Sequence, residues 1–231
     1  MTCDFHVEIV RTDRTKSALI NVENKIVKVT VPKSLSEQRV GALVKRRSVW
    51  IKQQLRIQAE RNDSKLKEYV NGETFTYLGR NYRLKCPSKG SGEAKLKNGY
   101  FVVPTTAGLS GSNMEAVIRF SLEQWYRSSA LAKLKEKTKR YSALLGVSPK
   151  SIKLKDYKAR WGSCSSSGEV SYNWRIIIAP HHIVDYIVVH ELCHLLEHNH
   201  GANYWKHVES IIPNFKECRG WLKSNGDSLR I

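Results

Sequence analysis

The sequence predicts an α+β fold: a β-rich N-terminal region with one long helix, followed by a C-terminal domain of helices around a short sheet. Three observations predict it. Apolar and polar residues alternate over 5–32 and on both sides of two tight-turn signals, at Gly79 and at Asn98-Gly99. Two segments, about 36–61 and 113–146, carry apolar residues at helical intervals. The last third then runs from a strand-like stretch directly into "HHIVDYIVVHELCHLLEH", which reads as a buried helix.

The N-terminal stretch "FHVEIVRTDRTKSALINVENKIVKVTVP" gives two or three strands, stopped by Pro32. "SLSEQRVGALVKRRSVWIKQQLRIQAERND" opens with a capping-box spacing, Ser34 to Glu37, and sets Val40, Leu43, Val44, Ile51 and Leu55 on one face of a single amphipathic helix, about 36–61. "ETFTYLGRNYRLKC" and "AKLKNGYFVVP" read as hairpins turning at Gly79 and at Asn98-Gly99. The small, polar "TTAGLSGSN" places a linker at 105–112, between a first region 1–104 and a second domain 113–231. Beyond it, Ser112 to Glu115 repeats the capping-box spacing, and Val117, Ile118, Leu122, Trp125, Leu131 and Leu134 mark a long helix ending before Pro149. "SIKLKDYKARWGSCSSSGEVSYNWRIIIAP" reads as strands around a Ser/Gly turn at 165–168, the last of them terminated by Pro180. The buried helix follows, with Ile183, Val184, Ile187, Val188 and Leu195 on its apolar side, and a last helix, about 202–212, carries Tyr204 and Trp205.

Composition narrows the function classes. The N-terminus "MTCDFHVEIVRTDRTK" has charges where a signal peptide needs an apolar core, and no run approaches the roughly 20 apolar residues of a membrane span. A cytoplasmic protein with no membrane partner is expected. The five cysteines, Cys3, Cys86, Cys164, Cys193 and Cys218, are scattered, odd in number and form no C-x-x-C pair, which argues against a disulfide framework and against a cysteine-only zinc knuckle. With 39 Lys and Arg against 21 Asp and Glu, the net charge of +18 would draw nucleic acid or nucleotides to a basic surface, or serve solubility alone. The helix face of Arg46, Arg47, Lys52 and Arg56 has the same two readings, and no nucleic-acid motif decides between them.

The chemistry concentrates in "VVHELCHLLEHNHGANYW", which holds four of the eight histidines. His190 and His194, four residues apart, rise from adjacent turns of one helix face and can share a metal. Glu191, next to His190 around the helix, can reach a water in an open coordination position without ligating, as a general base must. A third ligand is needed. On a continuing helix His198 would lie about 12 Å along the axis from His190, too far to close a tetrahedron. His200 can return if the helix ends first, and its neighbours Asn199 and Gly201 both tolerate the left-handed conformation that stops a helix. His200 is therefore the expected third ligand.

These residues resemble a known family. "RWGSCSSSGEVSYNWRIIIAP" followed by "YIVVHELCHLLEHNHGANYW" is similar to the YgjP-like metallopeptidases, relatives of the SprT-like and WLM zincins. The resemblance is densest over 157–222, and the order of the N-terminal elements fits it too. It implies a zincin-like hydrolase domain over 113–231, one Zn2+ or another divalent ion on His190, His194 and His200, and Glu191 as the catalytic base. It also implies that Arg160-Trp161-Gly162-Ser163-Cys164 and Asn173 belong to strands beside the cleft, with Tyr204-Trp205 where the family favours Phe-Trp.

The expected activity is metallopeptidase hydrolysis of a peptide or protein, with zinc polarising the scissile carbonyl and Glu191 moving the proton. The "EVSYNWRIII" strand is expected to pair with an extended substrate at an open edge. Two other classes compete. One is a metal-dependent hydrolase of nucleotides or other phosphoanhydrides; the other is a nucleic-acid-binding module with a structural zinc, which would need a fourth protein ligand that is not evident. Around the site, Cys164 is read as a nucleophile, a soft ligand or a satisfied turn thiol, and Cys193 as core. Arg160 is read as an oxyanion or carboxylate partner or a surface residue, and His207 as an electrophile or a structural histidine. His181 and His182, at the helix start, are read as surface.

Overall fold

The computed structural model describes residues 5–13, 18–23, 26–62, 67–88, 92–106 and 110–231, and the chain forms two compact units, 1–66 and 67–231. In the first unit β3 (Ile26–Pro32) is central, parallel to β1 (Val7–Thr12) and antiparallel to β2 (Leu19–Glu23). The period of two in the sequence becomes burial on one face. Val27, Val29 and Val31 are fully buried and meet Val40, Val44 and Ile51 from two helices.

Those helices correct the single helix expected over 36–61. α1 (Glu37–Arg46) ends at Arg47, whose N–H is shared between the Leu43 and Val44 carbonyls, and a separate helix, α2 (Ser48–Asn62), follows and packs against β2. The tightened turn at Arg47 (φ −101°, ψ 5°) interrupts the helical ladder, a feature that apolar spacing alone does not record. The first capping box is also corrected. The N-cap is Ser36 rather than Ser34, and its hydroxyl makes no capping bond.

The second unit begins with a four-stranded sheet in the order β4-β5-β7-β6, built from β4 (Thr74–Tyr77), β5 (Arg80–Lys85), β6 (Lys95–Lys97) and β7 (Tyr100–Val102). Both expected hairpins form. Leu78-Gly79 (φ 50° and 76°) and Asn98-Gly99 (φ 50° and 78°) supply the paired left-handed residues of two-residue turns whose twist matches the strands. Gly79 is also required by contact, because a Cβ there would lie 2.8 Å from Cα of Pro180. The hairpin tip thus docks on the segment that launches the later helix, with Leu78 N–H donating to the Ile177 carbonyl at 2.8 Å.

α3 (Gly111–Leu145) lies in the same core as these hairpins. Phe75, Tyr77, Phe101, Trp125, Tyr126 and Trp174 form a chain of ring contacts, and the Tyr126 hydroxyl donates to the Thr76 carbonyl at 2.8 Å. The unit boundary therefore falls at 66/67 rather than at 105–112. The polar linker, of which 107–109 lie outside the described residues, joins elements of one core, so its composition marks a connection and not a division. α3 starts after Ser110 with no side-chain cap, which corrects the Ser112–Glu115 box.

A second sheet, in the order β8-β10-β9, follows: β8 (Ser151–Lys155) runs parallel to central β10 (Glu169–Asn173), and β9 (Gly162–Cys164) runs antiparallel to it. After β10, Trp174–Ile178 is a tight 3-10 turn rather than the strand expected, started by the Asn173 side chain accepting from the Arg175 N–H. Its apolar residues are buried on all sides, and such a run has no periodicity to tell strand from helix. α4 (His181–Cys193), α5 (Ala202–Ile211) and α6 (Phe215–Asn225) complete the unit. α6 lies beyond the helix taken from the sequence as the last. No described helix is long and apolar enough to cross a membrane.

Candidate metal centre and active site

α4 is buried along most of its length, with Val184, Val188 and Leu192 fully inaccessible, so its C-terminal turn is held rigidly. His190 and Glu191 stand in that turn, and His194 is the C-cap residue. The chain leaves the helix without any left-handed residue: Leu195, Leu196 and Glu197 N–H groups bond back to the Leu192 and Cys193 carbonyls, and Gly201 is extended at φ −77°. This corrects the expected role of Asn199 and Gly201. The helix ends at Cys193, well before His198, and the segment curls back through tightened right-handed turns.

That reversal brings His200 onto the helical pair. The His190 and His200 Nε2 atoms are 3.2 Å apart, and ligand atoms of His190, His194 and His200 all lie within 4.8 Å of one another. Among the described residues these three form the group able to hold a metal, and His198, exposed, is outside it. The His194 Nδ1–H can donate to the Glu197 carbonyl at 3.2 Å, which leaves Nε2 as the free donor atom. His190 Nδ1 is buried without a partner, and its ring is held by packing against Tyr186, Tyr204 and Trp205.

All three imidazoles are held neutral, as metal ligation requires. Burial, then the neighbouring His194, His200 and Arg219, pushes His190 down to about 3. Burial is likewise the main cause of the lowered values at His194 and His200. Three neutral nitrogen donors, with no fourth ligand grouped with them among the described residues, match the donor set of an open, catalytic zinc site.

Glu191 lies beside this cluster, only 5% exposed. Burial pushes its carboxyl up to about 8, against the opposing pull of Arg160. Its carboxylate lies against the backbone of Gly162 on β9, where a Cβ would come 2.5 Å from Oε1 and 2.7 Å from Cδ. Gly162 belongs to the strand beside the cleft, and the tertiary packing of β9 on α4 gives the reason a glycine stands there, which spacing in the sequence does not carry. Gly162→Ala is expected to displace Glu191 and lower kcat for hydrolysis by roughly 10²-fold while the metal content stays unchanged. Normal turnover in that variant would show that the carboxyl position is not critical.

A family model described as "YgjP-like, metallopeptidase domain" matches residues 16–225. The chain belongs to this family. It is accordingly a metallopeptidase, and its substrate is a peptide or protein. No curated protein matches the chain. The metallopeptidase zymogen of Pyrococcus abyssi abylysin is similar over 39% of this chain and 93% of its own, with 21% identity and a TM-score of 0.36, too slight a likeness to bear on the fold.

The remaining sequence candidates separate clearly. Burial, and after it the charge of Glu191, holds the Cys164 thiol above its usual range, and it donates weakly to the Ser165 carbonyl, so it is no activated nucleophile. Cys193 is fully buried and pushed up to about 12, as a core thiol should be. Arg160 is exposed, its guanidinium 5.6 Å from the Tyr157 ring and its carbonyl accepting from Asn173 Nδ2. His181 and His182 are exposed at the start of α4. His207 is half-buried on α5 and is not part of the three-histidine group. Tyr204 and Arg219 are two further residues at the site for which no motif spacing in the sequence signals a role. Tyr204 is fully buried, and its hydroxyl donates to the His190 carbonyl at 2.8 Å. Arg219 belongs to α6, a helix beyond the last one that the sequence predicts.

Proposed function

We propose that the chain is a zinc-dependent peptidase in which His190, His194 and His200 hold the metal and Glu191 is the general base. The observation that supports this most directly is the convergence of three neutral imidazoles beside a buried carboxylate from the same helix turn. Zinc held there would polarise the scissile carbonyl and lower the pKa of water toward about 7. Glu191 takes the proton from the attacking water and returns it to the leaving amine, roles suited to a carboxyl that burial has raised toward neutrality. Arg160 offers a cation near Glu191 for a developing oxyanion.

The expected pairing of a substrate strand with β10 is corrected by the sheet order. β10 is central, with β8 and β9 on its two sides. The edge beside the site is β9, which packs against α4, and an extended peptide would add to the sheet there. The four described cysteines are unpaired, which suits a reducing cytoplasm.

The test is hydrolysis of a peptide library by metal-free and zinc-reconstituted protein. Cleavage should be lost on chelation and restored by about one equivalent of zinc. Cleavage of nucleoside triphosphates with no peptide ever cut would replace this reading with phosphoanhydride hydrolysis.

A further inference from the structure

The third histidine of the cluster is the least supported by the fold. His190 and His194 stand on or at the end of a buried helix, whereas His200 is exposed, in a short irregular segment. The Gly201 N–H bonds only to the nearby Asn199 carbonyl, and the His200 ring nitrogen faces another histidine. An imidazole with two free side-chain torsions loses rotamer entropy when it is held for ligation, and something must supply that restraint.

Trp205 is placed to do so. Its ring stacks on His200 with an interplanar angle of 22° and centroids 5.6 Å apart. Phe215 of α6 stacks on Trp205 in turn, at 16° and 5.0 Å. The Arg219 guanidinium lies 5.5 Å from the same indole. Tyr204, with its hydroxyl on the His190 carbonyl, stands nearly perpendicular to His200 at 4.6 Å. His200 is thus enclosed by two rings of α5, one edge-on and one parallel, and the parallel one is buttressed from α6.

We propose that Trp205 is a positioning residue for the metal: it holds the His200 ring in its ligating orientation, with Phe215 as the support behind it. This rests on the three-histidine reading above. Two effects act together. The stack removes ring orientations that ligation would otherwise have to select, so the site is preorganised. The electron-rich indole face also favours an imidazole that becomes more positive when it binds a cation, which Phe does less well and Leu not at all. The stack therefore predicts a graded order of metal affinity, with Trp205 tightest, Trp205→Phe intermediate and Trp205→Leu weakest.

The experiment measures the zinc dissociation constant by competition with a chromophoric chelator, using variants whose metal-free thermal midpoint and circular dichroism match the parent. Trp205→Leu should weaken zinc by roughly 10–100-fold, the usual cost of losing a group that orients a ligand, and Trp205→Phe should recover part of it. A space-filling role alone would leave affinity unchanged once the fold is intact. Wild-type affinity in Trp205→Leu, alongside metal loss in His200→Ala, overturns the inference and leaves the three-histidine site standing. Wild-type affinity in His200→Ala overturns that site and this inference with it. Should Trp205→Leu fail to fold, Phe215→Leu, which keeps the indole and removes its support, carries the test: a weaker zinc affinity supports the inference and an unchanged one overturns it.

Discussion

Glu191→Gln is expected to lower peptide hydrolysis by roughly 10²–10⁴-fold while zinc stays bound, because the amide keeps the shape of the carboxyl but cannot accept a proton. The side chain has little freedom to rearrange, with Gly162 on one side and the packed body of α4 behind it. The same substitution has a second, opposite effect on the metal-free protein. Burial raises Glu191 from its ordinary 4.5 to about 8. Between those values the folded protein retains a proton that the unfolded chain has released, so stability falls as pH rises through this window and levels off above it. Glu191→Gln removes that loss. Calorimetry in the presence of a chelator should show the variant gaining on the parent from pH 4.5 to about 8, by an amount on the order of a few kcal/mol. Depressed His190 acts at lower pH, between about 3 and 6.5, and is common to both proteins, so it cancels from the comparison. Full turnover in Glu191→Gln would exclude it as the base, and a stability difference flat in pH would show that its ionisation is not coupled to folding.

His190→Ala and His194→Ala should each release the metal and abolish hydrolysis, since either change leaves two of three protein donors. The loss should exceed the roughly 10–100-fold that removal of an outer partner costs. Elemental analysis after dialysis is the direct measurement, and full occupancy in either variant would refute the site. The neighbouring histidines separate the same way: His200→Ala should lose metal and His198→Ala should keep it, because only His200 is folded back onto the pair.

The sequence by itself determined what depends on short-range spacing. The His190–His194 interval places two imidazoles on one helix face, Glu191 follows from its place in the same turn, and Leu78-Gly79 and Asn98-Gly99 make their hairpins wherever the sheet lies. That His200 could rejoin the pair was legible from the sequence as a possibility, while His198 is kept out by the chain's reversal after Cys193 rather than by axial rise along a helix.

The path by which His200 returns was not legible. Left-handed residues and tightened right-handed turns can both reverse a chain, and hydrogen bonds from 195–197 to Leu192 and Cys193 selected the second. The central position of β10 likewise depended on strands distant in sequence, whereas the break at Arg47 and the 3-10 turn at Trp174–Ile178 are closed by local bonds that apolar spacing does not record. So did the unit boundary, since a polar linker signals exposure but only packing of Phe75 and Phe101 with Tyr126 decides which elements share a core. The same holds for Gly162 beneath the Glu191 carboxylate and Trp205 against the His200 ring. Both contacts join segments that no period relates, and the burial that raises one group and orients the other exists only when the chain is packed.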